Sequence, residues 1–436
     1  MNIGVVRTNY GDVFGVGKPG YTVFRSIPYA KPPIGPLRFR KPLPPESWKG
    51  VLHANSFKSR SMQVDRAPGS FNHIEFFQDD DYITPISEDS LYLNIWTPAS
   101  KAFSDEKLPV AFWIHGGVFI RGFGSEIQFD GGEYCRRGVI LVTINYRLGA
   151  FGLLAHKWLS EEGGGYSGNY GVYDQLAALE WVRENIEGFG GDPDRITIFG
   201  QSAGARSVQA IVSSGLSQGM VAGAIMQSAG GYRVGLRSQP LLDEAETIGE
   251  EFVRRCGVAS LTELRELPAG VLLAHSEAFH NDNESTRAVH SICADGQLLI
   301  SDFDSLADLG RHHDIPYLLG STADDIGVRE GVSPLHNGCI GWSFKNEELG
   351  RNPAYVYRFN RALSGDNSGA FHSSELWYMF GTLHRSWRHK TSKDYELSGL
   401  MLDYWCNFIK TSDPNSPGLP EWRPCRSSDP FIMEFC

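Results

Sequence analysis

From residue 108 onward the chain carries near-continuous apolar runs bounded by Gly or Asp: LPVAFWI (108–114), GVILVTI (138–144), RITIF (195–199), VAGAIM (221–226) and IPYLLG (315–320). Strands buried on both faces of a parallel sheet read this way, because neither face needs polar residues. Helical periodicity lies between several of these runs. In DQLAALEWVRENI (174–186), Leu179, Val182 and Ile186 recur at i, i+3 and i+7, giving one apolar stripe, and Asp174 is the expected N-cap. Alternating strand and helix predicts an α/β architecture with a large, mostly parallel central sheet flanked by helices. The first hundred residues differ. They are rich in Pro and turn signals (KPPIGPLRFRKPLPPESW, 31–48) and hold short β-like pieces such as VVRTNYGDVFGV (5–16), which predict hairpins and loops. No internal repeat or linker interrupts the pattern, so one domain over 1–436 is expected, with the helical interval 233–290 as a partial cap.

Composition narrows the function classes. The net charge of −11 is spread without basic clusters, which argues against nucleic acid and anionic membrane surfaces and favours small, largely neutral substrates. No stretch of 18 apolar residues and no signal-like start occurs, so neither membrane insertion nor export is expected. The seven cysteines are scattered and lack C-x-x-C, indicating neither a disulfide framework nor a metal site; reduced thiols in a cytoplasm fit best. One glycosylation sequon, Asn283-Glu284-Ser285, carries little weight alone. No cofactor is indicated, and the pattern is silent on oligomeric state. The segment GVGKPG (15–20) matches G-x-G-x-x-G, but Pro19 and Gly20 break a helix where a phosphate loop would open one; a hairpin turn is expected.

A second glycine motif has the right surroundings. TIFGQSAGARS (197–207) sets Ser202 between Gly200 and Gly204. G-x-S-x-G arises by chance about 0.5 times in a chain of this glycine and serine content, so context must decide. Here a buried-strand pattern precedes the serine and helical texture follows it, the strand–turn–helix of a nucleophile elbow, in which side chains at either glycine would collide. The alternative is a helix N-cap. A serine nucleophile also needs oxyanion donors and a base. FWIHGGVF (112–119) places a glycine pair directly after a strand. Downstream, YLLGSTADDIG (317–327) offers Asp324 or Asp325, and GAFHSSELWYMFG (369–381) offers His372, one of thirteen histidines. His312, His313, His384 and His389 lie in less suitable polar or basic surroundings.

Long blocks in a fixed order complete this reading. FRSIPYAKPPIGPLRF, SEDSLYLNIWTP, NYRLGAFGLL, GNYGVYDQLAALEWVRENIEGFGGDPDRI, TIFGQSAGA and AFHSSELWYMFG together resemble the type B carboxylesterase and cholinesterase family over nearly the whole chain. The resemblance implies an α/β-hydrolase fold, Ser202 as nucleophile, His372 as base, Asp325 as acid, and an oxyanion hole from the amides of Gly117, Val118 and Ala203. It implies a serine carboxylic ester hydrolase; a noncatalytic interaction protein of the same fold is the alternative. Phe119, with Phe71, Phe76 and Phe77, is a candidate aromatic wall for substrate, with core packing as the alternative. Three departures stand out. Val118 occupies the place of a third glycine; Met62 and Ser90 stand where the family often pairs cysteines, consistent with a reducing compartment; and the chain is shorter around 331–351, which would open the acyl side of the pocket.

Overall fold

The computed structural model describes residues 3–100, 102–103, 106–235, 239–282 and 291–436. The sequon at 283–285 therefore lies outside the described residues, as do parts of the helical interval 233–290.

In chain order the strands are β1 (Val5–Thr8), β2 (Gly11–Phe14), β3 (Val16–Lys18), β4 (Tyr21–Pro28), β5 (Val51–His53), β6 (Tyr92–Thr97), β7 (Leu108–Ile114), β8 (Ile140–Ile144), β9 (Gly191–Gln201), β10 (Gly223–Gln227), β11 (Tyr317–Thr322), β12 (Tyr355–Phe359) and β13 (Met433–Phe435). Strands β1, β2 and β5 form a small sheet, and among the described residues the other ten form one sheet ordered β13-β12-β11-β10-β9-β7-β8-β6-β4-β3. The seven strands from β7 to β13 run parallel to their neighbours; β6, β4 and β3 are added antiparallel. GVGKPG is the hairpin between β3 and β4, with Lys18 paired to Tyr21 across Pro19-Gly20.

The apolar runs are continuous because both sheet faces are covered. Along β7, Val110, Phe112 and Ile114 point into one hydrophobic cluster while Ala111 and Trp113 point into the other, the two-residue alternation of a pleated strand. Helix Tyr170–Asn185 covers the first face with Val172, Leu176, Leu179 and Val182. Helix Ser392–Thr411 covers the second with Met401, Trp405 and Phe408.

Asp174 corrects one expectation. The helix begins four residues earlier, with Asn169 at the N-cap position, so Asp174 lies inside it. Its fully buried carboxylate accepts two hydrogen bonds from Arg147, at 2.8 Å from Nε and 2.7 Å from Nη2, and a third from the Arg147 amide. A buried guanidinium needs a paired carboxylate more than a helix end needs a cap, and that requirement sets the position of Asp174.

The interval 233–290 contains helices Leu242–Arg255, Leu261–Glu266 and Ala269–Asp282. Their apolar faces (Phe252, Leu264, Leu272, Phe279) pack on Phe39, Phe151, Leu154 and Leu159. All seven cysteines are free, six of them buried and Cys436 exposed. Ser90 is buried with its hydroxyl 3.0 Å from that of Ser61, beside Met62. Among the described residues no helix is long and apolar enough to cross a membrane.

Candidate functional site

β9 ends at Gln201, helix Ala203–Val212 begins one residue later, and Ser202 makes the turn between them with φ 56° and ψ −125°. A non-glycine residue there is strained by about 1–3 kcal/mol and persists only where its surroundings leave no alternative. The surroundings are backbone. A methyl group on Gly200 would lie 2.5 Å from the Gly204 carbonyl carbon, and one on Gly204 would lie 2.0 Å from the Ile114 carbonyl oxygen. The Ser202 amide is tied to the Gln227 carbonyl at the end of β10, at 2.8 Å. Ser202 stands at the N-cap position, yet its hydroxyl makes no capping hydrogen bond. It is partly accessible.

The acid and the histidine meet on adjoining loops. Asp325, three residues past β11, has a fully buried side chain whose Oδ1 lies 2.5 Å from His372 Nδ1. The amides of Thr322 and Ile326 donate to the same carboxylate at 3.1 and 2.8 Å, fixing its orientation. Asp324 points elsewhere. Its carboxylate accepts from the Ala370 amide at 2.8 Å while its own amide donates to the Ala370 carbonyl at 3.0 Å, pinning the His372 loop to the acid turn. The other ring nitrogen, His372 Nε2, is 3.2 Å from Gln201 Nε2, one residue before Ser202. With Nδ1–H donated to Asp325, Nε2 is the acceptor of the bond from the Gln201 side chain.

The electrostatics follow from this pairing. Burial opposes charge on the Asp325 carboxylate, but the hydrogen bond and charge of His372 outweigh it and hold the carboxyl below its usual range. Burial likewise opposes charge on His372, and Asp325 outweighs it, so the ring is more basic than an ordinary histidine. One turn on, the wholly buried Glu375 is pushed up to about 7, first by burial and then by the charge of Asp325. Neither Gln201 nor Glu375 was expected from the sequence; the signals were adjacency to Ser202 and three-residue spacing from His372. The histidine pair at 312–313 is structural: His312 bonds Asn346, and His313 bonds the Ser214 carbonyl.

The glycine pair after β7 borders the serine turn. A methyl on Gly116 would lie 2.7 Å from the Gln201 carbonyl oxygen and 3.1 Å from Ser202 Cβ, so only hydrogen fits. Gly117, Val118 and Phe119 follow with φ of 110°, 59° and 60°, turning the chain sharply back. Among the described residues the amides of Gly117, Val118 and Ala203 donate no hydrogen bond. The Val118 side chain is 55% exposed. Phe119 is buried in the main hydrophobic cluster. Phe71 sets its ring edge-on to Phe371, beside His372, at 4.9 Å; Phe76 stacks on Trp377 and Phe77 tilts against Phe123. Among the described residues no cluster of three His, Cys, Asp or Glu side chains is placed to hold a metal ion.

The segments bearing Gly116 to Phe119, Ser202, Asp325 and His372 follow the carboxyl ends of β7, β9, β11 and β12, where open α/β sheets place their crevices. Known proteins share the arrangement's framework. The model of the carboxylesterase family matches residues 3–334 and 340–435. The chain is 31% identical to the para-nitrobenzyl esterase of Bacillus subtilis (strain 168), covering 95% of this chain and 91% of that one. It is 38% identical to the fumonisin B1 esterase of Sphingopyxis macrogoltabida over 74% of this chain and 56% of that protein. Among solved structures it is similar to a thermophilic para-nitrobenzyl esterase (TM-score 0.86, 28% identity, 99% of this chain and 96% of that chain). It is also similar to a Geobacillus stearothermophilus carboxylesterase (TM-score 0.83, 30% identity, the same coverage). The chain belongs to the carboxylesterase family of α/β-hydrolases, the enzymes of carboxylic ester hydrolysis.

Proposed function

We propose that the protein hydrolyses small carboxylic esters through an acyl-enzyme on Ser202. The observation that carries this reading is the 2.5 Å contact between Asp325 and His372, whose other ring nitrogen lies against Gln201, the residue that leads into the strained serine turn. Ser202 Oγ attacks the ester carbonyl as His372 Nε2 takes its proton, and the carbonyl electrons move onto oxygen. The amides of Gly117, Val118 and Ala203, free of other partners, are the donors for that oxyanion. Collapse of the tetrahedral intermediate expels the alcohol, which receives the proton from His372. Water, deprotonated by the same nitrogen, then releases the acid and restores Ser202. Asp325 holds the ring with Nε2 toward the serine and stabilises the imidazolium.

The two neighbouring aspartates test this assignment with a nitrophenyl ester assay. Asp325→Asn should lower kcat by about 10⁴-fold, roughly 5.5 kcal/mol of barrier, in a folded protein. Asp324→Asn retains an oxygen to accept from Ala370, so it should cost less than about 1 kcal/mol of stability and leave kcat within about tenfold. The reverse pattern would move the acid to Asp324.

A further inference from the structure

We infer that a cavity beside the proposed oxyanion loop is a carboxylate subsite, taking an anionic substituent of the ester; this rests on the serine esterase reading above. The cavity, of about 220 Å³, is lined by Arg60, Arg66, His73, Phe77 and Arg121, among others. That volume is about seven times the ~30 Å³ share of a liquid water molecule, room for a short carboxylate chain.

Arg60, Arg66 and Arg121 are cationic, and among the described residues only Arg66 makes no ion pair, although Glu126 and Glu277 act on its charge from a distance. Arg60 pairs with Asp65 at 2.5 Å, and Arg121 pairs with Glu277. Among the described residues no carboxylate bonds Arg66, and its Nε is buried without a partner. The buried acid nearest in charge, Glu126, is occupied by the Phe123 amide and the Gln128 side chain, and burial pushes it up to about 7. Asp80 also lines the cavity but is exposed to solvent. Burial first, and then the charge of Arg121, act against the Arg66 guanidinium and lower its basicity. A second unsatisfied group shares the wall: His73 Nδ1 is buried without a partner, on helix Phe71–Phe76. A guanidinium and an imidazole nitrogen left unpaired around one cavity, with the Phe77 ring beside them, call for an acceptor-rich, negatively charged group.

Contacts connect this cavity to the proposed chemistry from two sides. Gln63, in its wall, accepts from the Gly122 amide at 2.9 Å and donates to the Gly122 carbonyl at 3.0 Å. Gly122 packs on Gly116, where a methyl would lie 2.5 Å from the Gly116 oxygen, and Gly116 packs on Ser202. The Arg121 amide bonds the Gly117 carbonyl at 3.0 Å. From the other side, the helix bearing His73 places Phe71 against Phe371, next to His372. The largely neutral ester expected from overall charge thus becomes an ester carrying one carboxylate away from the reacting bond.

The test compares matched pairs: 4-nitrophenyl hemiglutarate against 4-nitrophenyl valerate for an acyl-side carboxylate, and 4-acetoxybenzoate against phenyl acetate for a leaving-group carboxylate. In at least one pair the charged-to-neutral ratio of kcat/KM should fall tenfold or more in Arg66→Gln and be partly restored in Arg66→Lys. Free glutarate is the third arm. If it alters neutral-ester turnover in the wild type and not in Arg66→Gln while both ratios stay unmoved, the same site takes a free carboxylate and the substrate assignment is overturned. Ratios within twofold of wild type together with indifference to glutarate overturn the subsite altogether. Should Arg66→Gln not fold, competitive inhibition of wild-type neutral-ester hydrolysis by glutarate supports the subsite and its absence overturns it. Failure of the wild type to hydrolyse any of the four esters would instead overturn the serine chemistry.

Discussion

Two non-glycine residues with positive φ, Ser202 and Val118, stand on adjoining turns, and they are held differently. At Ser202 the strain is imposed by packed backbone: β9, the following helix and the end of β7 crowd so closely that neither flanking glycine has room for a methyl group. At Val118 the turn also has a positive φ, 59°, but the valine side chain is more than half exposed. A β-branched residue in that conformation is an outlier. The first turn cannot relax without taking the sheet apart. The second is held chiefly by the neighbours of the valine, Gly117 against the Arg121 carbonyl and Phe119 in the core, so the valine is tolerated rather than required. On the proposed mechanism, strain enforced by three elements aims the Ser202 side chain, whereas the exposed turn at Val118 supplies an amide and leaves its side chain free to vary.

The sharpest way to break this contrast is Gly204→Ala. Within a helix, alanine would ordinarily stabilise by up to about 1 kcal/mol. Here its methyl would lie 2.0 Å from the Ile114 oxygen, so overpacking of about 3 kcal/mol or more should win, lowering the melting temperature by several degrees and abolishing ester turnover. A melting temperature at or above wild type would show that the elbow is not backbone-locked.

The opposite substitution should do little. Val118→Gly relieves about 1–2 kcal/mol of left-handed strain and adds about 0.5–1 kcal/mol of unfolded-state entropy, so stability should be unchanged or rise by up to about 1.5 kcal/mol. The amide remains, so kcat/KM for a nitrophenyl ester should stay within about tenfold of wild type. A loss of stability of more than about 1 kcal/mol by thermal melting would mean that the valine side chain packs in a way its exposure conceals.

The same contrast explains what could be read in advance. The runs at 108–114, 138–144, 195–199, 221–226 and 315–320 mark β7 to β11 because strands covered on both faces admit no polar alternation. Strands β12 and β13 carry no such signature: β13 has three residues and exposes Glu434 between Met433 and Phe435. The serine turn was legible because its two glycines fall at fixed spacing between a buried-strand pattern and helical texture, although the tightest contact on Gly204 comes from Ile114 of β7. The approach of Asp325 to His372 joins residues 47 apart; the local pattern offered His372 with Asp324 or Asp325, and only the family resemblance chose between the two aspartates. Asp174 misled because a good capping residue was claimed by Arg147, 27 positions away. The Arg66 cavity was invisible for a related reason. An unpaired guanidinium is a statement about what three loops fail to bring near it, and no local spacing records that.

Whether Ser202 is the nucleophile is decided by incubating the intact protein with a fluorophosphonate and locating the adduct by peptide mass spectrometry. One equivalent of label is expected on Ser202, with loss of ester hydrolysis in step with labelling and neither label nor turnover in a folded Ser202→Ala. Labelling of another serine, or ester turnover that persists in Ser202→Ala, would contradict that role.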